Sequence, residues 1–177
     1  MKKIIVVNST KNWTFEINND SVKVIDAKSY LTQSKYFEMR DVRVFNLCKN
    51  SKYQSTGYYV SLLAEARGQK VIPSITTIQD FNSQRLQKIF TDELENDGQQ
   101  SLKNIKSDHF TLSVYFGKNT AKQHNKLAKN IYNLFQAPLL RAEFEFKNKW
   151  ILKSVKIISM PDISEDHRAF VNDAAAE

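Results

Sequence analysis

One cysteine, Cys48, occurs in 177 residues, so no disulfide can form within the chain and a reducing, cytoplasmic setting is expected. Four glycines and three prolines are too few for long flexible linkers or low-complexity tracts. The glycines are all isolated, so neither a G-x-x-x-x-G-K-[ST] phosphate loop nor a G-x-G-x-x-G turn exists. His109, His124 and His167 share no metal-ligand spacing with one another or with Cys48, and no metal site is expected. The apolar run at residues 4–7 is too short for a signal-peptide core or a membrane span, so no membrane association is expected.

What is present fits one domain. The hydrophobic share is 41%, and eleven Phe with seven Tyr make an aromatic core. The net charge of +7 raises nucleic acid as a partner. Its distribution speaks against that: residues 1–60, 61–120 and 121–177 carry 10, 7 and 9 basic groups against 5, 7 and 7 acidic ones. No arm or block of like charge stands out.

Residues 3–7 read as a buried β-branched strand, 22–25 as a weaker one and 42–47 as a stronger one running into a polar loop. A helix follows, with Tyr59, Leu62, Leu63 and Ala66 at helical spacing and Gly68 at the C-cap; its many apolar residues predict cover on more than one face. Val71 and Ile72 resume an extended run that Pro73 stops, completing a parallel βαβ unit over about 42–73. Asn82 is read as the cap of a second helix with a stripe of Leu86, Ile89, Phe90 and Leu94. That helix is expected to fray before Gly98, with Glu93, Glu95 and Asp97 in its last turn.

The second half alternates. Phe110, Leu112, Val114 and Phe116 share one face of a strand, and Thr111, Ser113 and Tyr115 the other. Thr120 and Gln123 read as a capping box for a helix burying His124, Leu127, Ala128, Ile131, Leu134 and Phe135, with Lys122, Lys126 and Lys129 in water. Two paired strands follow around Lys147-Asn148-Lys149, giving a βαββ unit over about 108–159. The expected fold is therefore α/β to α+β, a mixed sheet built from the two units with a C-terminal helix capped by Ser164.

Phe45-Asn-Leu-Cys48, Tyr53-Gln-Ser-Thr-Gly-Tyr-Tyr-Val-Ser-Leu-Leu-Ala-Glu-Ala-Arg-Gly68, Val71-Ile-Pro-Ser74 and Thr77-Ile-Gln-Asp80 resemble the N-terminal domain of RimK-like ATP-grasp ligase family proteins. The likeness is dense over 45–80 and looser elsewhere, including Tyr115-Phe-Gly117 and Phe135-Gln-Ala-Pro-Leu139. It departs at Gln69, where relatives suggest His, and at Lys49-Asn50-Ser51. The resemblance implies an accessory domain over 1–160 that precedes a module joining a carboxylate to an amine through an acyl phosphate. It further implies that residues 161–177 form a linker helix toward a following module absent from this chain. ATP and Mg²⁺ are expected only in that module, which acts in cis or in trans.

The sharpest candidate site is the loop of residues 48–57, leaving a parallel strand's carboxyl end for a helix N-terminus. Tyr53, Gln54, Ser55, Thr56 and Tyr58 offer donors and flat faces, and Arg40, Lys49 and Lys52 offer charge for a small anionic or peptide substrate. The plainer reading is that these residues only cap the helix. Cys48 reads as an inert core thiol, and Thr77 with Asp80 as a helix cap. The function expected is a non-catalytic, substrate-orienting accessory domain of an ATP-dependent carboxylate–amine ligase. Two alternatives stand beside it: a free-standing module for a small anionic ligand or partner protein, and, more weakly, a nucleic-acid-binding domain.

Overall fold

A computed structural model describes residues 2–13, 17, 21–49, 53–83 and 92–177, the side chains of Asn12, Asn82, Asp92 and Glu93 aside. The first half builds a parallel sheet from β1 (Lys2–Val7), β2 (Val22–Asp26), β3 (Val42–Asn46) and β4 (Lys70–Ile72), in the order β2-β1-β3-β4. Ile4, Ile5, Val6 and Val7 are all buried, because both faces of this sheet are covered. On one face lie α1 (Ala27–Thr32), which Asp26 caps through the Ser29 amide at 2.8 Å, and α2 (Thr56–Ala66). Tyr30, Val60 and Ala64 of these helices pack with Ile4, Val6 and Val44.

The βαββ unit is present with its own three-stranded antiparallel sheet, β5 (His109–Tyr115), β6 (Leu139–Lys147) and β7 (Lys149–Ile157), in the order β5-β6-β7. Asn148 takes the left-handed conformation the hairpin turn requires, at φ 62°. α4 (Asp92–Leu102) and α5 (Asn125–Phe135) cover one face, burying Leu112, Val114, Leu127, Ile131 and Phe144 among them. The expected parallel and βαββ units thus stand as two sheets joined by side chains. Their shared core sets Ile5, Val7, Phe45 and Leu47 against Tyr115, Leu139 and Ile158. The C-terminal helix α6 (Glu165–Ala176) closes that core with Val171 and Ala175.

Several local expectations are corrected. The stripe Tyr59, Leu62 and Ala66 of α2 faces outward; the inner face uses Gly57, Val60, Ser61 and Ala64, whose small side chains let the helix sit close to the sheet. Asn82 ends a helix, α3 (Ile75–Asn82), rather than capping one, and α3 is capped by Ser74, whose hydroxyl accepts from the Thr77 amide at 3.0 Å. Leu86, Ile89 and Phe90 lie outside the described residues. Glu95 and Asp97 fall in the first half of α4, not in the last turn of a fraying helix, and Asp97 pairs with Lys126 of α5. α4 continues through Gly98, where an added Cβ would meet Phe144 at 3.8 Å, an ordinary van der Waals contact that does not require glycine. Thr120 and Gln123 form no capping box. A 3₁₀ turn, Lys122–His124, leads into α5, and Asn125 accepts from the Asn119 amide at 2.9 Å instead. Phe116 leaves its strand face at φ 50° and packs edge-on against Phe45, 5.3 Å away, in the core between the sheets.

Candidate functional site

The carboxyl end of β3 is organised by a residue that sequence reasoning passed over. Asn46 is buried, and its amide nitrogen donates to the Gly57 carbonyl at 2.7 Å and to Ser61 Oγ at 2.8 Å. Its oxygen accepts from the Cys48 amide at 3.1 Å, and Ser61 in turn donates to the Pro73 carbonyl at 2.7 Å. One side chain therefore ties β3, α2 and the end of β4 together. The Cys48 thiol points to the Val6 carbonyl, 3.6 Å away, and burial pushes its pKa up to about 12, so little thiolate exists near neutral pH.

The loop that follows is largely occupied with its own caps. Ser55 Oγ accepts from the Tyr58 amide at 3.3 Å, the Ser55 carbonyl from the Tyr59 amide at 3.1 Å, and the Lys49 carbonyl from the Gly57 amide at 3.3 Å. The first turn of α2 thus has few amides left for an anion. Gln54 sits in the left-handed region at φ 61°, which turns the chain into the helix beginning at Thr56. Tyr58 is buried and meets Tyr53 edge-on at 5.1 Å, whereas Tyr53 itself is 71% exposed. Arg40 does not join this group. It precedes β3 and therefore lies at the amino end of the sheet, donating to the Phe37 carbonyl at 3.3 Å. Lys52 lies outside the described residues.

A cleft of about 230 Å³ opens one step away, where β1 and β3 end side by side. Val7 and Leu47 floor it, and Asn8, Ser9, Lys49 and Ser159 supply its polar lining. The chain runs from β1 outward to β2, then returns past β1 to β3 and β4. The gap between β1 and β3 is therefore where the strand order reverses, the place at which open parallel sheets hold ligands. Asn8 Oδ1 accepts from the Lys49 amide at 2.9 Å and so fixes one wall to the other. Behind Ser159, Asp162 accepts from the Ser159 amide at 2.8 Å and from its hydroxyl at 2.7 Å. Those two donors, helped by the Arg141 and Lys49 charges, hold the Asp162 carboxyl below its ordinary range. Lys49 is the cation placed to meet an anionic group entering the cleft.

The sequence signal for this cleft lay in Asn8-Ser9, polar residues directly after a buried strand. The rule that singled out the loop after β3 applies equally to the end of β1. Ser159 offered no such signal, because only the folded chain brings it there. Among the described residues, no group of three or more His, Cys, Asp or Glu side chains is arranged to hold a metal ion, and no helix is long and apolar enough to cross a membrane. His124 is buried with Nδ1 2.7 Å from Ser101 Oγ, as a satisfied core histidine.

Compared with known proteins, residues 27–174 match the family described as RimK-like ATPgrasp N-terminal domain. No curated protein matches the chain.

Proposed function

The chain belongs to the RimK-like ATP-grasp N-terminal domain family, and on that premise we propose that it serves an ATP-dependent carboxylate–amine ligase as a non-catalytic domain that orients the substrate. The cleft between the carboxyl ends of β1 and β3 carries this reading: it lies at the strand-order reversal and combines an apolar floor with Lys49, Asn8, Ser9 and Ser159. Lys49 takes a substrate carboxylate or other small anionic group. ATP and Mg²⁺ sit in the ATP-grasp module, in cis or in trans, and the reaction runs there. The setting is cytoplasmic.

Lys49→Glu in a ligase carrying this domain tests the reading. The exposed side chain leaves the Asn8 contact, made by the main chain, in place. The expected result is a rise of about tenfold or more in KM for one substrate, equal to about 1.4 kcal/mol of lost binding, with kcat unchanged. A fall in kcat at constant KM, or ADP release by the 177-residue chain alone, overturns the non-catalytic role. Unchanged kinetics remove the cleft from the substrate path.

A second reading rests on the outer face of α2. Tyr59 and Leu62 are 40% and 38% exposed, and Tyr53 stands beside them. Such a strip suits docking of a partner protein by a free-standing module. Loss of a partner's binding with Tyr59→Ser and Leu62→Ser, while Lys49→Glu leaves it intact, favours this reading over the first.

A further inference from the structure

We propose that the amino end of the parallel sheet carries a second binding site, for a compact oxyanion bearing three or more negative charges. The proposal does not depend on the ligase reading and concerns the opposite end of the sheet from the cleft. A hollow of about 360 Å³ opens there, with Lys2, Lys23 and Lys35 around it and Tyr36 and Met39 as its wall. Lys3 borders it too, but strand register sends its side chain to the opposite face, with Val22 and Ile5. The three lysines around the hollow come from β1, β2 and the 3₁₀ turn at Ser34–Tyr36. Strand register accounts for part of the convergence. Lys23 is the cross-strand neighbour of Ile4, and Lys2, two residues before Ile4, shares its face of the sheet. The Lys23 and Lys35 ammonium groups lie 6.0 and 5.0 Å from the centre of the same Tyr36 ring.

Among the described residues no acidic side chain lines the hollow, and no ion pair is formed with Lys2, Lys23 or Lys35. Lys3, on the other face, acts instead on the Glu177 carboxyl, which is paired with Lys118. The contrast with β7 is plain: Lys153 and Lys156 there each have a glutamate partner on β6. Like charges gathered in one place repel one another, and a multivalent anion relieves that repulsion.

Lysines on a solvated face need no ligand, so the rest of the argument turns on the wall. Gln69, buried, donates from Nε2 to the carbonyls of Tyr36 at 2.8 Å and Met39 at 3.2 Å, and accepts from the Tyr30 hydroxyl at 2.5 Å. Arg67 donates to the carbonyls of Tyr30 and Leu31 at 3.0 and 3.3 Å and lies 4.1 Å over the Phe37 ring. The segment bearing Lys35 and Tyr36 is thereby held on both sides before any ligand arrives. Tyr36 and Ile4 are buried, so the charges stand over a low-dielectric floor that focuses their field into the hollow. Its volume suits a small molecule. A polyphosphate chain and a tricarboxylate share the required chemistry.

Calorimetric titration of the 177-residue chain with inorganic tripolyphosphate and, separately, with citrate tests the site. The expected result at low ionic strength is one saturable equivalent of at least one probe, weakened toward physiological salt as charges are screened. Lys23→Gln with Lys35→Gln should weaken binding about tenfold or more. Lys122→Gln with Lys129→Gln removes the same formal charge from α5 and the 3₁₀ turn before it, and should change binding less than about twofold. Both pairs are exposed, and equal melting temperatures verify that folding is intact. Preference for tripolyphosphate, reduced when Mg²⁺ neutralises it, identifies a phosphate chain; preference for citrate identifies a polycarboxylate. Saturation by neither probe overturns the site. Equal losses in the two double variants also overturn it, since the binding would then be diffuse attraction to a basic protein.

Discussion

Asn46, Gln69 and His124 show how much of this fold rests on buried polar side chains with partners far along the chain. Asn46 reaches residues 11 and 15 positions away, and Gln69 reaches back 30 to 39 positions. No local pattern announces such bonds. Asn46 lay in plain view in a strand read correctly, yet its role emerges only once Gly57 and Ser61 are brought to it. Asn46→Leu strands the Cys48 amide and the Gly57 carbonyl in a dry interior, and should cost about 2–4 kcal/mol in chemical denaturation. A loss below about 1 kcal/mol would show that these groups find other partners.

His124 sets a pH dependence. Burial depresses its pKa, so the unfolded chain takes up the proton first as pH falls through about 6.5. The stability this neutral ring supports is present above that pH and is lost below it. His124→Asn should therefore flatten the stability profile between about pH 7 and pH 5 relative to the natural chain. The decline at lower pH should persist, because the Asp26 and Asp162 carboxyls are held below their ordinary range by Ser29 and Ser159 respectively. An unchanged slope in the upper window excludes His124 as its source.

At the scale of elements, strands were more legible than helix boundaries. Period-two alternation marked β5 and β6, and a β-branched run marked β1, because those patterns follow directly from which face is buried. Helix α4 was misplaced because Gly98 lies in its interior, and a glycine in sequence reads more readily as a stop than as a helical position. The outer strip of α2 was misjudged for a related reason: apolar residues at helical spacing mark a face, not which face meets the sheet. Helix α6 gives the sharper test. Phe170, partly buried, meets the Tyr115 ring at 6.2 Å, and Val171 is fully enclosed. Phe170→Ala should cost about 2–3 kcal/mol, somewhat below a fully buried phenylalanine, read as a lowered melting temperature. No shift would detach this end of α6 from the core.

The whole molecule is two sheets that share one core, and the sequence revealed the two units more clearly than their junction. Hydrophobic period shows that a strand buries one face, but Tyr115 and Leu139 do not announce that their neighbours will be Phe45 and Val7. The shared core predicts a single cooperative transition. Trp13 packs in the core between the sheets and Trp150 in the core of the antiparallel unit, so single-tryptophan variants, Trp13→Phe and Trp150→Phe, report separately on the two. Their urea midpoints, each corrected for its own variant's calorimetric stability, should coincide. Separate midpoints would divide the chain into two folding units.

The position of α6 also has a consequence for the order in which the chain is made. The apolar face of the parallel sheet is complete once β4 has left the ribosome, yet Val171 and Ala175 of α6, which cover part of it, are synthesised only after the whole antiparallel unit. At about 5–20 residues per second, that face stays uncovered for on the order of ten seconds. During this interval Ile5, Val7, Phe45 and Leu47 form a sticky surface on a tethered, half-made protein. Each nascent copy is therefore a candidate for chaperone capture, and for association with its polysome neighbours, until α6 has emerged.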